Sequence, residues 1–326
     1  MDLANARQRA ERLRAEIIRH DQLYYVDGAS EIEDQEYDAL VRELTELEAS
    51  HPELATADSP TARVGSDSDA RFPSAPHSRP MISLTNSYEL ADVGAFVDRI
   101  DNELPERDHT FTVEPKIDGV ALALRYRDGK LEMALTRGDG SSGDIVTANA
   151  ATFPSIPTTL PDGWRDAFGG QVVAFEVRGE AYLSLSRFRE LNRERDEAGE
   201  EPLANPRNAT AGTLKTLDVD VVAHRRLSAF FYQLISLEGE IDLRTHRQEI
   251  AAIAALGLPV NDFLRTASNV DELESHLSDL GALRDTLDYQ IDGAVMKVDD
   301  LTLHDRLGST AKSPRWGLAF KYAAEE

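Results

Sequence analysis

Tyr37, Leu40, Val41, Leu44 and Leu47 recur at steps of three and four, which predicts an amphipathic helix with Asp34 as its N-cap and an end before Pro52. A preceding helix is expected from about Asn5 to Tyr25, so the chain opens on a helical hairpin joined through Asp27 to Glu33. From Asp58 to Pro80, Ser, Asp, Pro and Gly follow one another without a period and read as an extended linker. Beyond Thr110 the period becomes two. Strands are predicted at Thr110 to Lys116, Ala121 to Tyr126, Leu131 to Thr136, Val172 to Tyr182 and Ile291 to Val298. Asp128-Gly129 signals a hairpin turn, since both residue types tolerate positive φ. Helices are expected near Ser186 to Glu197, Thr245 to Leu256 and Val270 to Leu280. The pattern describes an α+β chain with a helical domain over residues 1–65 and a mostly antiparallel β domain over 66–326.

Composition narrows the chemistry. With 326 residues, 41% of them apolar, the chain can bury a substantial core. It contains no apolar run of the roughly 20 residues that a bilayer demands, and its N-terminus is charged, so it reads as soluble and cytoplasmic, with no membrane partner. The absence of cysteine removes disulfides, thiol nucleophiles and thiolate metal sites. A net charge of −24 disfavours strong free-standing binding to a polyanion.

Only six of the 35 basic residues are lysine: Lys116, Lys130, Lys215, Lys297, Lys312 and Lys321. Many carboxylates with few lysines suit a protein that works in high salt, an ordinary acidic solubility surface being the alternative. The halophilic reading predicts unfolding in dilute buffer through carboxylate repulsion. Melting temperatures in dilute and concentrated KCl test it; equal values would count against a salt requirement.

The lysines also point to a reaction. Alternation places Thr112, Glu114 and Lys116 on one face of their strand and Phe111, Val113 and Pro115 on the other. Asp118-Gly119 then turns a second carboxylate back toward Lys116. Taken alone, this is also the pattern of a solvated strand end. In a chain that nearly always chooses arginine, however, a lysine is expected to persist where arginine cannot substitute, since a lysine amine can be brought to lose its proton and act as a nucleophile, and Lys116 is the best candidate for that role. Lys297 and Lys321 are candidates for compact cations against phosphate, and would depress the Lys116 pKa if all three converge.

Glu114-Pro115-Lys116-Ile117-Asp118-Gly119 resembles the nucleotide-accepting motif of DNA ligases, RNA ligases and capping enzymes. Arg137-Gly138-Asp139-Gly140, Glu176-Val177-Arg178-Gly179-Glu180, Asn205-Pro206-Arg207-Asn208, Ile291-Asp292-Gly293 with Lys297, and Pro314-Arg315-Trp316 with Lys321 follow in the order of the NAD-dependent DNA ligases. The resemblance covers essentially the whole chain. It implies a nucleotidyltransferase fold, ATP-grasp-like and mostly antiparallel, in which Lys116 attacks the NAD α-phosphate with Asp118 beside it. By the same resemblance Glu114 accepts from the adenine amino group, Ile117 and Val295 sandwich the base, Arg137 and Glu180 hold the ribose region, and Lys297 and Lys321 bind phosphate. Asp292 is the implied Mg²⁺ ligand. Tyr24, Tyr25, Asp34, Tyr37 and Asp38 are implied to hold the nicotinamide mononucleotide end, with Ser83, Leu84 and Arg207 also at the NAD site.

Each residue keeps a plainer reading. Arg178 with either glutamate fits a cross-strand ion pair, Arg137 to Gly140 a tight turn, Arg207 a helix cap, and Tyr24 and Tyr37 helix packing. The sequence also departs from the family pattern. Tyr25 stands where a stacking histidine is usual, Lys215 stands for an arginine at a position expected to face DNA, and Ile117 and Val120 replace a leucine pair. Family members continue into oligonucleotide-binding, zinc, helix-hairpin-helix and BRCT domains, and the chain stops at Glu326 before them. The expectation is a monomeric adenylation module that labels itself and seals nicked DNA poorly alone. An ATP-dependent nucleotidyltransferase and a non-catalytic NAD-binding remnant are the rival readings.

Overall fold

The computed structural model describes residues 3–23, 31–32, 34–56, 59–61, 69–106, 108–169, 171–310 and 313–322. Tyr24, Tyr25, most of the Asp27 to Glu33 connector and the Asp34 side chain lie outside this description. In chain order the elements are α1 (Leu3–Asp21), α2 (Asp34–Ser50), β1 (Ser74–Pro76), β2 (Asn86–Ser87), α3 (Leu90–Glu103), β3 (Phe111–Ile117), β4 (Val120–Arg127), β5 (Lys130–Thr136), β6 (Ser142–Asp144) and α4 (Thr147–Ala150). They continue as β7 (Val172–Tyr182), α5 (Leu185–Ala198), α6 (Pro206–Leu214), α7 (Val219–Arg225), β8 (Ser228–Gly239), α8 (His246–Ala255), β9 (Arg265–Ala267), α9 (Val270–Leu283), β10 (Ile291–Val298), α10 (His304–Leu307) and β11 (Gly317–Lys321).

Ala6, Ala10, Leu13 and Ile17 form one buried stripe of α1 and close over Leu44, Leu54 and the half-buried Tyr37, Leu40, Val41 and Leu47. Arg9 clamps Glu43 with two bonds of 2.6 and 2.5 Å, and Arg14 meets the buried Glu48 at 2.8 Å. The helix α1 spans Leu3–Asp21 and continues as a wider helical turn over residues 22–23, and α2 spans Asp34–Ser50; the expected extension to Tyr25 and the Asp34 cap fall on residues outside the description.

Two sheets build the larger domain. One has the order β2-β11-β10-β3-β9, the other β5-β4-β7-β8, and β11 with β2 is the parallel pairing in an otherwise antiparallel set. Helices α3 and α9 cover one face of the first sheet: Val93, Phe96, Ile100, Leu273 and Leu277 pack on Phe111, Val113 and Met296. In the second sheet Leu122, Leu124, Tyr126, Phe175 and Val177 bury one face against Trp164, Phe168, Leu191 and Ile253. The opposite faces carry the charged residues of the strands.

The predicted strands appear within a residue of their expected limits, and Asp128 and Gly129 take φ of 48° and 75°, as the hairpin requires. Three expectations are corrected. Part of the linker, β1, pairs with β6. Asn205-Pro206-Arg207-Asn208 is not a loop but a helix start: the Asn205 side chain accepts from Asn208 N, and Pro206, whose missing N–H costs nothing there, opens α6. Lys215 does not face outward; its ammonium meets the buried Asp144 at 3.1 Å.

Strand β8 and helix α3 were not foreseen. In β8 the run Phe230-Phe231-Tyr232 hides the alternation, because Phe231 enters one core while Phe230 stacks on Tyr182 against the other. Among the described residues no helix is long and apolar enough to cross a membrane.

Candidate functional site

The register of the first sheet assembles one charged face. Opposite residues in antiparallel strands share a face, so Glu114, Val295 and Ala319 form one row and Lys116, Gly293 and Lys321 the next. Between Ile291 and Gly293 the pairing slips by one residue, and Asp292 is the extra one. This bulge brings Asp292 Oδ2 to 2.7 Å from Lys116 Nζ and 3.7 Å from Lys321 Nζ. The other carboxylate oxygen, Oδ1, is buried and meets no donor.

Asp118 follows in the turn out of β3 and accepts from Arg207 Nη1 at 2.7 Å, so the first turn of α6 delivers an arginine beside the lysine. A Cβ at Gly119 would lie 2.2 Å from the Ala181 carbonyl oxygen and 2.9 Å from Glu180 Cγ. Only glycine lets the turn after Lys116 run this close to β7. Burial pushes the Glu180 carboxyl up to about 7, against the pull of Arg207, Lys116 and Arg137, while Asp118 adds to the rise. These five charged residues therefore share one electrostatic environment. The Arg137 carbonyl is held by His77 Nε2 at 2.9 Å.

The three lysines do not meet at one point. Lys116 and Lys321 share Asp292, whereas Lys297 is bonded to Glu114 Oε1 and sits 5.1 Å from the centre of the Tyr232 ring. Glu114 Oε2 accepts from His246 Nε2 at 3.0 Å, and His246 Nδ1 donates to Glu249 at 2.8 Å. Burial alone would raise the Glu114 carboxyl, but Lys297 and then His246 outweigh it and hold it down at about 2. Tyr232, His246 and Glu249 are additions that sequence reading missed. The burial that raises the Tyr232 hydroxyl, reinforced by Glu180 and then Glu114, places this ring in the field of both acids.

Other expected residues fall as follows. Val295 shares the face of Glu114, but Ile117, one step beyond Lys116 on β3, turns to the opposite side and packs in the α3–α9 core. Glu114, Ile117 and Tyr232 nonetheless line one small cavity together with Phe230 and Phe263. Glu176 and Arg178 pair with each other at 2.8 Å, Arg125 joins at 2.9 Å, and Arg178 also holds the Arg79 and Pro80 carbonyls. The Arg178 pair thus lies within β7, two residues apart, and the cross-strand pair is Arg125 with Glu176. Leu84 lies against Gly317 of β11, and Ser83 is exposed beside it. In the hairpin Tyr37 donates to Asp21 at 2.6 Å, and Asp38 accepts from Asn86 at 2.9 Å and from Tyr88, linking α2 to the larger domain.

Two mostly antiparallel sheets, with a lysine, two arginines and paired acids gathered where β3 turns into β4, make an α+β domain of the adenylating class. The family described as the NAD-dependent DNA ligase adenylation domain matches residues 69–325, and the one described as the DNA ligase-like, N-terminal NAD⁺-binding domain matches residues 3–65. The chain belongs to the NAD-dependent DNA ligase family. The DNA ligase of Heliobacterium modesticaldum is 45% identical over 323 residues, covering 99% of this chain and 46% of its own length. That of Chlorobaculum tepidum is 43% identical over 337 residues, covering 100% of this chain and 48% of its own length. The chain thus spans about half the length of the curated relatives it matches. A solved structure titled as the ATP-dependent DNA ligase of bacteriophage T7 in complex with ATP aligns with a TM-score of 0.36 at 12% identity, over 73% of this chain and 67% of that one.

Proposed function

We propose that this chain is the adenylating part of an NAD-dependent DNA ligase, with residues 1–65 holding the nicotinamide mononucleotide end of NAD and residues 66–326 carrying the chemistry. The observation that carries the reading is the cluster of Lys116, Asp292 and Lys321 at the strand bulge, with Arg207 and Asp118 beside it. Lys116 Nζ, having given one ammonium proton to solvent, attacks the α-phosphorus. A P–N bond forms, the P–O bond to the bridging oxygen breaks, and nicotinamide mononucleotide leaves with the electron pair. The nitrogen then gives up its second surplus proton, and Asp292 Oδ2 is the acceptor already in contact with it.

Lys321, Arg207 and Arg137 supply fixed positive charge where the phosphate charge develops, and Glu180 borders the ribose. Glu114 accepts from the adenine amino group, and Val295 and Ile117 sandwich the base, with Tyr232 lining the same cavity as Glu114 and Ile117. Lys297 supports the base through Glu114 and reaches phosphate only if that pairing opens. Ser83 and Leu84 close the cleft beside β11. In the hairpin Tyr24, Tyr25, Asp34, Tyr37 and Asp38 take the nicotinamide end.

The residues also fit a magnesium ion. The unpartnered Asp292 Oδ1 is the kind of oxygen a hard cation takes, and among the described residues no three acidic or histidine side chains converge into a full cage. Mg²⁺ held by Asp292 and substrate phosphate oxygens would supply charge neutralisation at the α-phosphate.

In the complete enzyme the adenylate passes to the 5′-phosphate of nicked DNA, the joining step of replication and repair. A net charge of −24 makes DNA binding by this chain alone weak.

Intact-protein mass spectrometry after incubation with magnesium and either NAD or ATP, in low and high KCl, tests the proposal. One AMP adduct from NAD alone is expected. An adduct from ATP alone would move the chain to the ATP-dependent class, and no adduct in any salt would favour a non-catalytic remnant.

A further inference from the structure

Behind Glu114 lies a buried chain of charges that neither the phosphoryl chemistry nor the nicotinamide site uses. We propose that His246 is a positioning residue for base recognition: anchored on Glu249, its imidazole holds the Glu114 carboxylate in the orientation that accepts from the 6-amino group of adenine. The inference rests on the reading that Glu114 faces that amino group.

His246 is 1% exposed, Glu249 5%, Lys297 6% and Glu114 8%. Four ionisable groups out of water are costly unless each is paired, and an apolar cluster of similar volume would serve packing as well or better. The network is fully connected. Lys297 occupies Glu114 Oε1, His246 Nε2 occupies Oε2 at 3.0 Å, Nδ1 meets Glu249 Oε2 at 2.8 Å, and Glu249 Oε1 accepts from Leu234 N of β8 at 2.6 Å. His246 is the first residue of α8, whose Thr245 and Gln248 form a capping box, so its backbone is fixed. With one donor on each oxygen the carboxylate cannot rotate, and each oxygen keeps a lone pair for a further donor. Adenine offers a donor at position 6, whereas hypoxanthine offers a carbonyl oxygen, which a fixed carboxylate repels.

The ring bonds both acids only when both its nitrogens carry protons. Burial and Lys297 oppose that state, but Glu114 and Glu249 outweigh them and raise the His246 pKa above its ordinary value. Tyr232 from β8, His304 from α10, and Asp299 with Arg247 beside the start of α8 are further titratable or charged groups around it. As pH rises through that value, Nε2 loses its proton and becomes an acceptor for Lys297, 3.3 Å away, so Glu114 is released. The sign is therefore weaker NAD binding on the alkaline side.

Self-adenylation followed by intact mass, with NAD and with nicotinamide hypoxanthine dinucleotide across pH, is the test. His246→Ala is expected to raise KM for NAD about tenfold with kcat within about threefold, and to lower the preference for NAD over the hypoxanthine analogue by a similar factor. His246→Gln, which keeps one donor toward Glu114 at every pH, should restore most of the preference and flatten the alkaline rise in KM. Glu114→Gln is run beside them. If it keeps the preference, Glu114 does not read the base and the underlying reading falls. If it loses the preference while His246→Ala keeps it, the role of His246 alone is overturned. Should His246→Ala fail to fold, Glu249→Gln decides with His246→Gln: Glu249→Gln moving the KM inflection to lower pH supports the proposal, and unchanged profiles in both refute it.

Discussion

Lys116→Ala protein incubated with magnesium and NAD is expected to gain no AMP, a loss on the order of 10⁴-fold or more, because the amine that forms the covalent bond is removed. Lys116→Arg should be equally silent. A guanidinium keeps the positive charge and can still pair with Asp292, but it does not lose its proton and cannot offer an electron pair to phosphorus. The arginine variant thus separates nucleophile from electrostatic partner. Each variant should keep the fold: Lys116 is a quarter exposed and its ion pair lies at the mouth of the cleft, where such a pair contributes little stability. A surviving adduct in Lys116→Arg would show that another residue carries the nucleotide.

The position of this lysine was legible because it depends on local rules. Period two in Thr112-Val113-Glu114-Pro115-Lys116 puts Glu114 and Lys116 on one face, and the structure keeps them there. The hairpin at Asp128-Gly129 and the strands Val172–Tyr182 and Ile291–Val298 were legible for the same reason. The partner of Glu114 was not: His246 is 132 residues away, and nothing in the pattern around a buried histidine says which acid it will meet. Lys297 shows the same limit, since its face of the strand is readable but its pairing with Glu114 follows from the register of β10 on β3, which sets Lys297 opposite Thr112. The helix α6 was missed although Asn205 and Pro206 spell its start, because Thr210, Gly212 and Thr213 are weak helix formers and packing sustains it. Lys215 was misjudged because charge alone does not reveal a buried aspartate within reach.

Asp292→Asn is expected to slow adenylation about 10²- to 10³-fold and to raise the magnesium concentration needed for half-maximal rate several-fold. The substitution keeps the shape of the side chain and removes its charge, so the lost properties are a proton acceptor for Lys116 and an oxygen for the metal. In the folded protein Oδ1 is buried without a donor, an arrangement that costs about 1–3 kcal/mol unless the oxygen has a further role. An amide there relieves part of that cost, while Lys116 and Lys321 lose the anion between them. The two changes oppose each other, so the melting temperature should move by only a few degrees as the rate collapses. Rate and magnesium titration then distinguish two roles. If Asp292 only neutralises two lysines, the half-saturating magnesium concentration stays put and concentrated KCl, which screens the lysine repulsion, recovers much of the rate. If it holds the metal, KCl recovers nothing and Asp292→Glu, with its carboxylate carried one methylene further, is also impaired. An Asp292→Asn rate within a few-fold of the parent would remove Asp292 from the chemistry and leave the bulge as a device for placing Lys116 alone.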